Sequence, residues 1–126
     1  MSITSQTDES KQLTIFTVVG ELYFNELIKA VEAFLRGQPC RDVLWDFREA
    51  IPKGLFRLVE VSRMAKLAKD LGHLRGSGKT ALVASSSYSF GIISLYERVT
   101  QIKGHPQTVK AFRSLEKAIT WLGSEE

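Results

Sequence analysis

The stretch Gly76-Ser77-Gly78-Lys79-Thr80-Ala81-Leu82-Val83-Ala84-Ser85 has two readings, and they lead to different folds. Taken from its glycines, it ends like a phosphate-binding loop, G-x-x-x-x-G-K-[ST], which follows a strand and opens a helix. Counting back from Gly78, however, the place of the first glycine is held by His73. The residues after Lys79 also argue against that loop, because Thr80 to Ala84 is a short continuous apolar run of the kind found in strands buried on both faces. Upstream, Leu55 to Leu71 carries Leu58, Val61, Ala65, Ala68 and Leu71 at helical spacing, with Gly72 after it. The order is therefore helix, loop, strand. Amides in such a loop enter a sheet ladder instead of cradling phosphate, so the reading is against nucleotide binding.

Working outward, the same alternation recurs. Toward the amino end, Val43, Leu44 and Trp45 form a second buried-strand pattern that ends at Asp46-Phe47. Before it, Phe24, Leu27, Ile28, Val31, Phe34 and Leu35 recur in steps of three and four, and Gly37 and Pro39 end that helix. Leu13 to Val19 is rich in β-branched residues and reads as a strand. Asp8-Glu9-Ser10 is a turn signal, which makes Ile3 to Gln6 the first arm of a hairpin. Toward the carboxyl end, Ile92, Leu95, Tyr96, Val99 and Ile102 follow helical spacing, and Val109 to Phe112 is a short strand. Ser114 caps a last helix bearing Leu115, Ala118, Ile119 and Leu122, with Gly123 as its stop. Turn signals fall at Gly20, Gly37-Gln38-Pro39, Pro52-Lys53-Gly54, Gly76-Ser77-Gly78 and Gly104-His105-Pro106. The order predicts one α/β domain over residues 1–126, with residues 1–11 as a polar segment holding the edge arm and turn. The sheet should be mostly parallel, of four or five strands with four helices, and Leu44, Trp45, Leu82, Val83 and Ala111 should lie in central strands.

Composition bounds the function without defining it. A chain of 126 residues, 44% hydrophobic and 25% charged, closes one ordinary core. The net charge of +3 is spread along the chain with acids between the bases, unlike the basic face of a nucleic-acid binder. Cys40 is the single cysteine, with no paired-cysteine motif or neighbouring histidine, and fits a reducing compartment as a spectator thiol. No apolar run has a membrane-spanning length, and Met1 to Lys11 lack the apolar segment of a signal peptide. These features predict a cytoplasmic location.

The order of elements resembles the STAS-like fold, shared by bacterial anti-sigma-factor antagonists and cytoplasmic domains of anion transporters. Gly78 to Ser85, then Phe90-Gly91, Leu95-Tyr96-Glu97, Phe112-Arg113 and Ala118-Ile119-Thr120-Trp121-Leu122, resemble small bacterial STAS-like proteins of unknown function, often grouped with the lipid-binding CRAL-TRIO fold. The resemblance covers nearly the whole chain and rests on structural motifs, so it implies fold more than activity. It implies a regulatory or protein-interaction module. One departure matters: anti-sigma-factor antagonists carry a phosphorylatable Ser or Thr just after a central strand. Here Asp46 to Gly54 contains no hydroxyl residue, and the first downstream is Ser62.

Two function classes follow. The first is a non-enzymatic regulatory or interaction module with a protein partner or a second copy of the chain. The second is a binder of a small apolar or anionic ligand, its pocket at the carboxyl ends of the parallel strands, where open α/β sheets hold ligands. A deep apolar cavity at the strand ends favours the second, and a flat or filled face there favours the first. Either way, the candidate residues are Asp46, Arg48, Ser85, Ser86 and Ser87. The three serines join a strand end to a helix start, where free amides and the helix dipole favour an anion, or where Ser87 or Ser89 serves as a cap. Asp46 has Arg48, Lys53 and Arg98 as ion-pair candidates, which favours a structural role over a partner contact, and Glu97 and Arg98 on the third helix have a similar reading. His73 and His105 form no metal constellation, no cofactor is implied, and no grouping of nucleophile and base points to an enzyme. Trp45, Trp121, Tyr96 and the phenylalanines read as core.

Overall fold

The computed structural model describes residues 2–54 and 56–124. Five strands form one sheet in the order β1-β2-β3-β4-β5: β1 (Ser2–Asp8), β2 (Leu13–Tyr23), β3 (Asp42–Lys53), β4 (Lys79–Val83) and β5 (Thr108–Phe112). β1 is antiparallel to β2, and every other pairing is parallel. The helices are α1 (Phe24–Arg36), α2 (Leu58–Leu71), α3 (Ser87–Lys103) and α4 (Leu115–Leu122), with a 3-10 turn at Gly72–Arg75.

This order decides where the helices go. Each parallel strand pairs with the one before it, and right-handed crossovers then place all three connecting helices on one face. That face carries Phe16, Val18, Val43, Trp45, Leu82 and Val109, packed by Leu27, Val31 and Phe34 of α1 and by Ile93 of α3. α2 seats Val61 and Ala65 against Val99 of α3. No crossover constrains α4, and it lies on the opposite face, with Ala118 and Leu122 against Leu44, Ala81 and Val83. β3 and β4 are thus covered on both faces, which accounts for their continuous apolar runs.

Several expectations need correction. The strand expected to end at Asp46-Phe47 runs on to Lys53, paired with an equally extended β2 through Val19↔Glu49 and Tyr23↔Lys53. The register shifts between Thr17↔Asp46 and Val19↔Glu49, leaving one extra residue in β3, a bulge at Phe47-Arg48. β4 stops at Val83, opposite Asp46, so the outer half of β3 has a free edge, and there Pro52 is tolerated. Gly20 and Pro52-Lys53 are therefore strand residues instead of turns. Ala111 lies in β5, which is an edge strand. The Glu97 carboxylate accepts the Ala111 N–H at 2.6 Å and so ties α3 to that edge. The predicted start of the second helix at Leu55 lies outside the described residues, and the helix begins at Leu58.

The Gly-Ser-Gly-Lys-Thr segment has a structural explanation. Gly76 has φ +56°, a left-handed conformation that closes the 3-10 turn. A side chain at Gly78 would collide with the Arg41 carbonyl oxygen. Lys79 reaches across the other face to the end of α4, where its Nζ donates to the carbonyl oxygens of Trp121 (2.9 Å) and Ser124 (2.7 Å) and lies 5.1 Å from the Trp121 ring centre. This lysine caps a helix carboxyl terminus.

Two substitutions test this account. Lys79→Ala should cost about 1–2 kcal/mol of stability by removing charge-assisted bonds to the last carbonyls of α4. Gly78→Ala should cost more than about 3 kcal/mol or prevent folding, because backbone must move. Urea denaturation of the two variants measures both, and equal small losses would contradict the close approach at Gly78.

Candidate functional site

The structure brings the five candidate residues together at the carboxyl edge of the sheet. Asp46, 7% exposed, ends the part of β3 that pairs with β4. Its carboxylate accepts the Arg48 backbone N–H across the bulge (3.0 Å) and the Arg48 guanidinium through Nε and Nη2, each at 2.9 Å. The Ser85 hydroxyl donates to the Arg48 carbonyl at 3.2 Å. Ser86, and neither Ser87 nor Ser89, is the N-cap of α3: its hydroxyl accepts the Ser89 N–H at 3.1 Å. Ser87 opens α3 and is exposed, with Tyr88 beside it. Arg113 lies over the Phe90 ring at 4.3 Å. The polar groups of this cluster are largely engaged with one another, as an ion pair and a cap require.

A second feature lies beneath the helices. Between the inner face of the sheet and the helical layer is a cavity of about 110 Å³. Its floor includes Val43, Trp45, Phe47, Ala50 and Leu82. Its roof includes Leu27 and Val31 of α1 and Met64 and Ala68 of α2. Phe16 stacks on Trp45 with ring centres 4.0 Å apart and a 6° interplanar angle, and Phe47 continues the ladder 6.1 Å beyond Trp45. Rigid rings stacked in this way hold the floor flat while the helices bridge over it. At the outer end, partly exposed Phe24 and Phe56 meet edge to face at 6.2 Å. Asp46, Arg48, Ser85, Ser86 and Ser87 are not part of the lining.

The inner end is polar. Arg75, Thr80, Tyr96, His105 and Gln107 line it. Gln107 Nε2 donates to the carbonyls of Gly72 (2.9 Å) and Gly76 (2.8 Å), holding the 3-10 turn in place. His105 Nε2 lies 2.8 Å from the Ala65 carbonyl, and its buried Nδ1 has no hydrogen-bond partner among the described residues. Burial pushes the His105 imidazole below its usual 6.5, assisted by the positive charge of Lys69 and Lys103. Burial likewise raises the Tyr96 phenol to about 12, so it stays protonated. Sequence pattern alone places Tyr96 in the core, His105 in a loop and Thr80 in a strand, and gives Arg75 and Gln107 no role. The legible sign was polar side chains brought in by turn-rich segments beside apolar strands, but no spacing connects residues 75, 96 and 105.

Among the described residues no group of three or more His, Cys, Asp or Glu side chains is placed to hold a metal ion. No helix among them is long and apolar enough to cross a membrane. Cys40 is free and buried.

A mostly parallel sheet with a leading antiparallel edge, three helices on one face and a terminal helix on the other is the STAS-like fold, and comparison with solved structures agrees. An anti-sigma-factor antagonist from Mycobacterium paratuberculosis superposes with a TM-score of 0.61 at 20% identity, covering 98% of this chain and 96% of that one. The unphosphorylated form of the anti-sigma-factor antagonist SpoIIAA gives 0.57 at 9% identity, over 94% of each chain. An uncharacterized DUF3478-family protein with a SpoIIAA-like fold, from Shewanella loihica PV-4, gives 0.56 at 15% identity, covering 96% and 92%. No family model matches the sequence, and no curated protein matches it either. At these identities the likeness establishes the fold.

His105 gives this site a pH signature. Its pKa is depressed in the folded protein, so the unfolded chain binds more protons as pH falls below about 6.5. The contribution of neutral His105 to stability is complete above that value and is lost progressively below it. Thermal melts between neutral and mildly acidic pH should show this loss. His105→Gln, which keeps a donor for the Ala65 carbonyl, should reduce it, and an unchanged pH slope in that variant would exclude His105 as its source.

Proposed function

We propose that this chain is a non-enzymatic, cytoplasmic ligand-binding domain of STAS-like architecture, holding a small apolar molecule between its sheet and its helices. The observation that carries the reading is the cavity itself. Protein interiors are packed to crystal density and leave few voids larger than a water molecule. An apolar cavity of ~150 Å³ is enough to bind benzene, and the 110 Å³ here is of that order. Its lining is apolar over most of its length with a few convergent polar groups at one end, the usual composition of a ligand pocket. It runs beside β3 from Val43 to Pro52, reaching the carboxyl half of the sheet.

A second reading, a module that binds a protein partner or a second copy of itself, draws on a different observation. Large apolar side chains are exposed near the outer end of the cavity: Tyr23, Ile51, Leu58 and Val59 are 46%, 53%, 58% and 63% exposed. The cluster of Asp46, Arg48, Ser85, Ser86 and Ser87, with exposed Tyr88, would supply the polar part of such a contact. No hydroxyl residue stands between Asp46 and Gly54, and α2 opens at Leu58, so the partner contact on this reading does not depend on a phosphorylated residue there.

Trp45, in the cavity floor, provides the test. In a Trp121→Phe background its emission reports the cavity alone. Titration with 1-decanol should shift that emission saturably, and Ala68→Phe, which fills the roof, should abolish the shift while leaving the melting temperature equal or higher. Native mass spectrometry of protein purified without refolding should show a bound small molecule. If the emission is indifferent to decanol and the mass is that of the bare chain, the ligand-binding reading is wrong.

A further inference from the structure

The inner end of the cavity carries a buried cation. Arg75 belongs to the 3-10 turn, lines the cavity and is 7% exposed. Nε donates to the Arg41 carbonyl at 3.1 Å, Nη2 to the same oxygen at 3.0 Å and to the Lys79 carbonyl at 2.8 Å, and Nη1 to the Thr80 hydroxyl at 2.8 Å. Every one of these partners is a neutral oxygen. They engage four of the five N–H groups a guanidinium carries, leaving one on Nη1. The nearby carboxylate, Asp42, is occupied elsewhere: it accepts Arg41 Nε at 3.2 Å, Arg41 Nη2 at 3.0 Å and the Lys79 N–H at 2.9 Å. Among the described residues, therefore, Arg41 takes the nearby acid and the buried Arg75 has no acid bonded to it. Burial lowers the Arg75 pKa to about 10, so the charge persists at neutral pH.

Removing a cation from water without a bonded anion is costly, and the cost is offset when an anion arrives with the right geometry. The protonated Tyr96 phenol lines the same cavity, close enough to Arg75 for each to bear on the other's ionisation. One guanidinium N–H and one phenol O–H suit a planar head with two oxygens and a single charge better than a tetrahedral dianion. The lining beyond Arg75 bears on the rest of the ligand. Along β3 it is apolar from Val43 through Trp45, Phe47 and Ala50 to Pro52, and Leu27, Val31, Met64 and Ala68 face it from the helices. Such a surface suits an aliphatic tail.

We propose that the ligand is an aliphatic carboxylate, its head seated on Arg75 and its tail lying along the Trp45–Phe47 floor toward Phe24 and Phe56. This assignment rests on the cavity being a ligand site. The experiment compares decanoate with 1-decanol, each titrated at neutral pH and followed by Trp45 emission in the Trp121→Phe protein. Decanoate should bind roughly 10–100-fold more tightly, the worth of a hydrogen bond to a charged group. Arg75→Gln should abolish the preference, so that this variant binds decanoate and decanol with equal affinity. If acid and alcohol bind equally, or if the preference survives Arg75→Gln, the anionic-head proposal is overturned and the cavity remains a ligand site. If neither binds, the ligand-binding reading itself fails. Where Arg75→Gln does not fold, the guanidinium nitrogen resonances of Arg75 in the unaltered side chain decide: they should move with decanoate and not with decanol, and no movement with decanoate overturns the proposal.

Discussion

Where β4 enters the sheet, the backbone at Gly78 lies so close to the Arg41 carbonyl that no side chain fits between them. Around that approach, Asp42 accepts the Lys79 N–H, and Arg75 folds back to bond the carbonyls on both sides of it, Arg41 and Lys79. Much of the remaining geometry follows from this arrangement. It fixes the register that pairs Val43 with Thr80 and Asp46 with Val83. That register sets which side chains of β4 face the helices and which face α4, since a slip of one residue would exchange them. It also places Lys79 on the α4 side, where it meets the last carbonyls of that helix.

The sheet built on that register has strands of unequal length, and the cavity follows from the inequality. β2 and β3 continue past the end of β4, and β3 bulges at the point of departure. α1 follows directly on the extended β2, and α2 begins soon after the extended β3, so both helices return over a sheet that is broad at one end only. Large rings on the floor and small or flexible residues such as Ala68 and Met64 on the roof leave the space between incompletely filled. At its inner end the bracing arginine appears a second time, as part of the wall.

The alternation of strands and helices was legible in the sequence because each element carries a periodic apolar pattern and a stop. The Leu13–Val19 and Val43–Trp45 runs, the steps from Phe24 to Leu35 and the caps at Ser114 and Gly123 are all local signals. The outer half of β3 was not legible. Arg48-Glu49-Ala50-Ile51-Pro52 has neither a buried-strand run nor freedom from proline, and it becomes strand only because β2 is there to pair with it. The edge position of β5 was hidden for a similar reason: strand order is a tertiary property, and Val109-Lys110-Ala111-Phe112 reads the same at an edge or a centre. Asp46, Arg48 and the serines could be grouped at the carboxyl edge because they directly follow two apolar strand runs, but their bonding partners, and Ser86 as the cap, carry no sequence signal. The cavity wall, assembled from residues distant in sequence, has no local pattern.

The order β1-β2-β3-β4-β5 also bears on how such a sheet comes into being. From β2 onward each strand pairs with the one synthesised just before it, so no edge waits for more than the next strand of the chain. In many doubly wound sheets the first strand sits in the middle and the sheet grows in two directions, which keeps early edges open until the chain has returned. Here a nascent β1–β2 hairpin can be extended by β3, then β4, then β5, each closing the edge its predecessor left. The loops to be closed stay short, and the time during which an unpaired apolar strand is exposed to other chains is limited to the synthesis of one helix.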